Sequence, residues 1–141
     1  MASQLEAANT SILRSKRHTS VSLAFLGLAA ADIVMKIAGF RRLHQTVRRW
    51  PVSKNKTNDP ERIRAVCNAV DRAATYYLKH ALCLQRSAVT TCLLRTNGIP
   101  ARMVIGCRKI PFRGHAWVEV EGQVVNDNPK VQTFYRVLER C

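Results

Sequence analysis

Acidic residues are scarce in this chain: 9 Asp and Glu stand against 23 Lys and Arg, a formal net charge of +14 over 141 residues. That imbalance favours acidic partners. Aromatic residues are also few, at 6%, and they do not interleave with the basic ones. With no nucleic-acid motif in view, no nucleic acid is expected, and a protein or peptide partner ranks first, ahead of peripheral contact with a membrane surface. The five cysteines are an odd number in no disulfide-like spacing, which argues against an oxidising compartment. No two Cys or His residues lie at close ligand spacing on facing elements. The nearest pair, His80 and Cys83, stands alone, so no metal or other cofactor is expected. Internal repeats and low-complexity segments are lacking.

No apolar run is long. The run Val21 to Ala31, preceded by Arg14, Lys16 and Arg17, imitates a signal peptide, but it is too short for a membrane span and Asp32 and Lys36 interrupt it. We read it instead as a helix from about Ser20 to Ala38, capped by Ser20 and stopped by Gly39. Ile33, Val34 and Ile37 continue its apolar spacing. Arg41 to Trp50 is a basic amphipathic stretch ended by Pro51, and Val52 to Asp59 reads as a loop. A second helix runs from Pro60 to about Lys79, capped by Asp59, with Ile63, Val66, Cys67, Val70, Ala74 and Tyr77 inward. His80 ends it as a cation near a helix C-terminus.

What is present is a thiol, an imidazole and a carboxylate in chain order: Cys83, His115 and Asp127. Leu82 to Thr96 reads as a helix with Ala88, Val89, Cys92 and Leu93 as its stripe and Asn97-Gly98 as its stop. Cys83 then sits in the first turn, where free N–H groups and the helix dipole favour a thiolate. Taken alone, it would be a small buried hydrophobe like most free cysteines. Cys67, Cys92 and Cys107 fall on inward faces, and Cys141 is terminal and exposed. Ala101 to Cys107 is β-rich. His115 to Val120 alternates, with Ala116, Val118 and Val120 on one face and His115, Trp117 and Glu119 on the other. A three-residue turn Val120-Glu121-Gly122 pairs Glu119 with Gln123 and Trp117 with Val125, and sets His115 opposite Asp127. A two-residue Glu121-Gly122 turn would put His115 and Asp127 on opposite faces.

Four blocks together carry a resemblance. They are Cys83-Leu84-x-Arg86-Ser87; Leu93-Leu94-Arg95-x-x-Gly98-Ile99-Pro100-Ala101-Arg102-x-Val104-Ile105-Gly106; Pro111-Phe112-Arg113-x-His115-Ala116-Trp117-Val118-Glu119-Val120-x-Gly122; and Val125-Asn126-Asp127. Over roughly residues 60 to 130 the chain resembles the lasso leader peptidases, the B2 proteins of lasso peptide biosynthesis. The resemblance implies an α+β fold, a small papain/transglutaminase-like domain with a helical N-terminal part and a C-terminal antiparallel sheet carrying His and Asp. It implies one domain over 1–141, with 1–50 basic and helical and 60–130 the catalytic core. It makes Cys83 the nucleophile, His115 the general base and then acid, and Asp127 the orienting carboxylate. The implied activity is removal of the leader from a lasso precursor peptide in the cytoplasm, before an ATP-dependent cyclase closes the ring. No leader-recognition unit is read before Cys83, so a separate B1 partner is expected to hold the leader.

The backbone N–H of Cys83 is one oxyanion donor. Gln85, Arg86 and Trp117 are candidates for the second or for lining the site, and Trp117 could instead be core packing. Two other readings keep the same fold: a transglutaminase-like acyl transferase to an amine, and a non-catalytic basic module binding peptide or nucleic acid.

Overall fold

The computed structural model describes residues 19–77 and 83–141. Helix α1 spans Val21–Arg49. Ser20 caps it, its hydroxyl accepting from Leu23 N at 3.1 Å. Gly39 breaks the run at φ 74°, ψ 179°, and helix resumes beyond it, so the expected stop is a kink. Ala24, Leu28, Ala31, Leu43 and Val47 form the buried side, while Leu23, Leu26, Ile33 and Ile37 stay exposed. The helix is longer than the Val21 to Ala31 run suggested. By length and composition it could cross a membrane, which corrects the reading that it is too short.

Helix α2, Pro60–Tyr76, starts at Asp59, whose carboxylate accepts from Glu61 N at 3.1 Å. Its buried side is Val66, Cys67, Ala69, Val70 and Ala73. It ends three residues short of the expected Lys79, with Tyr77 at the cap packed edge-on to Phe25 at 5.3 Å. His80 and the expected end of this helix lie outside the described residues.

Helix α3, Cys83–Thr96, is buried nearly all round rather than along one stripe. Three of its buried polar residues are satisfied locally or across elements: Thr90 donates to Arg86 O, Ser87 to Ala116 O, and Arg95 to carbonyls beyond the helix. Arg95 donates to Ala101 O at 2.8 Å and to Val47 O at 2.5 Å, tying α3 to the end of α1. Asn97-Gly98 stops the helix as expected. Gly98, at φ 83°, lets its own N–H reach Arg95 O and the Ile99 N–H reach Leu94 O.

Strands β1 (Ala101–Lys109), β2 (Phe112–Val120), β3 (Gln123–Val124) and β4 (Arg136–Arg140) form one antiparallel sheet in the order β3-β2-β1-β4. A short helix α4, Val131–Phe134, precedes β4. Val118, Val120 and Ala101 pack with Leu94, Ile99 and Val66 on the helical side. Trp117, Val104 and Val131 make a smaller core on the opposite side. Cys141 is not free at the end of the chain, because its N–H and C=O both pair with Met103.

Candidate active site

Cys83 is the first described residue of α3 and is half-buried. Among the described residues it makes no hydrogen bond or ion pair, which leaves its sulfur available. The direction of α3 locates it. Leu94 and Ile99, at the far end, pack against Val118 and Val120. Ser87 donates to Ala116 O at 3.0 Å. The helix therefore runs in the same direction as β2, and one turn before Ser87 it passes the end of β2 that carries His115. Cys83 and Ser87, four positions apart, share a helix face.

The hairpin corrects the expected register. Val120 pairs with Gln123 and Glu119 with Val124. Glu121 (φ 51°) and Gly122 (φ 77°) form a two-residue turn, both in the left-handed region that such hairpins require. Continued, this register would send His115 and Asp127 to opposite faces. It is not continued. β3 stops at Val124 and the chain bends through residues 125–127. His115 Nε2 and Asp127 Oδ2 meet at 2.5 Å across that bend. Asp127 thus lies past the sheet, not on a strand opposite His115. The carboxylate takes Nε2–H, leaving Nδ1 as the ring nitrogen free to accept a proton.

A wall of aromatic rings backs this pair. His115 stacks with Trp117 at 6.1 Å and lies 5.0 Å from the Tyr135 ring. Trp117 is fully buried, and a Cβ on Gly106 would come within 2.8 Å of its ring. Trp117 spends its indole N–H on Glu119 Oε1 at 2.9 Å, so it is a wall and not an oxyanion donor. Glu119 is 4% exposed and also accepts from Gln132 and Arg140. Burial would raise its pKa, but the hydrogen bonds from Trp117, Gln132 and Arg140, with the Arg140 charge, hold it below the usual glutamate value.

Arg86 forms an ion pair with Asp71 of α2. Gln85 is buried and its side-chain oxygen has no partner among the described residues. Tyr135 carried no sequence signal, because it lies after the last recognisable motif and reaches His115 only through the return of β4 along β1. Ser87 and Asn126 sat inside the motifs without a role.

Burial, then the Asp71 charge, pushes the Cys67 thiol up to about 12. Burial pushes Cys92 up to about 11 and raises Cys141. Cys107 is half-buried rather than inward. Beside the site, α2 and the β2–β3 hairpin enclose a cleft of about 600 Å³. Asn126 and Asp127 line it, together with Asp71, Ile63, Asn58 and Glu121. Among the described residues no group of three or more His, Cys, Asp or Glu could hold a metal ion.

The chain is similar to the Microcin J25-processing protein McjB of Escherichia coli, at 46% identity over 56 residues, which is 40% of this chain and 27% of McjB. It therefore spans about a quarter of the length of that relative. No solved structure matches. The sequence profile of the Transglutaminase-like superfamily matches residues 26–140. With its helices packed on an antiparallel sheet and that match covering most of its length, the chain belongs to the transglutaminase-like superfamily.

Proposed function

We propose that this chain is a cysteine peptidase that removes the leader from a lasso precursor peptide, with Cys83, His115 and Asp127 as its catalytic residues. The observation that carries this reading is the His115–Asp127 contact at 2.5 Å, beside a helix whose first described turn carries Cys83. The name of its relative, a microcin-processing protein, supports the substrate class.

The Cys83 thiol gives its proton to His115 Nδ1, and the sulfur attacks the carbonyl carbon of the leader's last residue. The scissile C–N bond breaks as His115 hands its proton to the departing amine. A thioester remains. Water then loses a proton to His115 and adds to the thioester, the C–S bond breaks as His115 returns that proton to the Cys83 sulfur, and the leader leaves as a carboxylic acid. The Cys83 backbone N–H at the start of α3 stabilises the oxyanion. Asp127 holds the ring in the tautomer that keeps Nδ1 basic. The cleft between α2 and the hairpin receives the peptide. The precursor is held by a separate B1-type leader-binding protein, and the reaction takes place in the cytoplasm, upstream of an ATP-dependent cyclase.

The test is mass spectrometry of a lasso precursor incubated with the chain and a B1-type partner. Wild type should release leader acid and free core amine. Cys83→Ala should release neither, and Cys67→Ala should cleave almost as wild type does. Full cleavage by Cys83→Ala would overturn the reading. A product joined to an added primary amine, in place of leader acid, would instead favour acyl transfer.

A further inference from the structure

The outer edge of β2 loses its partner strand early. Beyond Val124, Val125 N still donates to Val118 O at 3.0 Å, but the chain then turns away. Within a strand, the N–H and C=O of one residue point to the same edge, so Val118 N–H and Ala116 C=O both face the vacated side. Left unpaired next to the core they would be costly. Two side chains take the place of the missing strand. Asn126 Oδ1 accepts from Val118 N at 2.7 Å, and Asn126 Nδ2 donates to Ser87 Oγ at 3.1 Å. Ser87 donates in turn to Ala116 O at 3.0 Å.

Each anchor of this chain of bonds adjoins a group used in the chemistry. Ser87 is one turn from Cys83 on α3, Ala116 follows His115, and Asn126 precedes Asp127. We propose that Ser87 and Asn126 are positioning residues, a clamp that sets the distances among Cys83, His115 and Asp127. The Asn126 amide stands in for a strand residue, so the main chain is free to bend. That bend carries Asp127 to His115 against the hairpin register. Ser87 then locks the start of α3 to the same edge, with its side chain 1% exposed.

This inference rests on the cysteine-peptidase reading, and two variants test it with readouts that stability alone does not move. Ser87→Ala removes the link to α3 but leaves the Asn126–Val118 bond. Asn126→Asp keeps the acceptor for Val118 N–H and loses the donor to Ser87. Near-UV circular dichroism selects folded protein. In single-turnover cleavage of a lasso precursor, both variants should lose about 10- to 100-fold in kcat with KM little changed, the size expected of a misplaced catalytic group. Alkylation of Cys83 by iodoacetamide at neutral pH, located by peptide mass mapping, should slow in parallel. Ser87→Thr, which keeps the hydroxyl, should recover most of both rates.

Wild-type rates in folded Ser87→Ala would overturn the clamp, as would a raised KM with unchanged kcat. Should Asn126→Asp not fold, the Ser87→Ala and Ser87→Thr pair decides. If wild type does not cleave the precursor while Cys83 alkylation still depends on Ser87, the leader-peptidase reading falls and the clamp stands. If alkylation is also indifferent to Ser87, both fall.

Discussion

Asp127 is fixed at both oxygens: Oδ2 meets His115 Nε2, and Oδ1 accepts from Asn128 N at 2.6 Å. A carboxylate held this way orients its partner without itself taking part in bond making. Asp127→Ala should therefore slow single-turnover cleavage by roughly 10²- to 10⁴-fold without reducing it to the Cys83→Ala level. An unchanged rate would remove Asp127 from the site. Gly106 makes a different kind of contribution. Its missing side chain leaves the space in which the Trp117 ring lies, and a Cβ there would also come to 3.0 Å from Arg136 O. Trp117 is sealed on all sides and has no room to retreat. Gly106→Ala should cost about 1–3 kcal/mol by overpacking, read as a lower Tm. It should also lower kcat, because the displaced indole is the surface behind His115. A stability loss with full activity would separate the wall from the chemistry.

Among the elements, the β2–β3 hairpin decides most. Its two-residue turn keeps Glu121 and Gly122 at positive φ, and no atom lies within 4 Å of where a Gly122 Cβ would sit. The whole cost of Gly122→Ala is then backbone strain, about 1–2 kcal/mol, measurable by urea denaturation. A neutral result would mean that the turn relaxes into the longer three-residue form. Helix α3 is the other controlling element. It is enclosed by α1, α2 and the sheet, and Gly27 of α1 lets the helices approach until a Cβ would meet Val89 at 2.9 Å. If Cys83 is the nucleophile, as proposed, its place on an enclosed helix gives it the little freedom that an attack geometry requires.

Across the whole molecule, charge is the dominant property. The excess of cations includes Arg41, Arg42, Arg48 and Arg49, all exposed on the second half of α1. Such a surface attracts an acidic partner over distances comparable to the Debye length, about 10 Å at 0.1 M salt. Cleavage assisted by a B1-type leader-binding protein should therefore slow as salt rises, mainly through slower association. Replacing Arg41 and Arg42 with Gln should flatten that dependence while leaving partner-free cleavage untouched. A salt profile that does not respond to these changes would place the docking surface elsewhere.

Local chemistry determined a large part of this protein from the sequence alone. Ser20, Asp59 and Asn97-Gly98 mark helix ends because caps act within four residues, and alternation marks β1 and β2 because side chains change face at every residue. The blocks around Cys83, His115 and Asp127 could be read for the same reason. The meeting of His115 and Asp127 was legible, but the route to it was not. The register drawn from the turn was one residue off, yet the two groups meet because β3 ends after two residues and Asn126 pairs in its place. That outcome depends on Val118, Ser87 and Ala116, residues distant in sequence. The helix α3 stripe widened to burial all round because three neighbours, not one, pack on it. Tyr135 joins the site only because β4 returns along β1. Contacts between distant segments depend on how all the elements pack at once, and only the tertiary structure decides them.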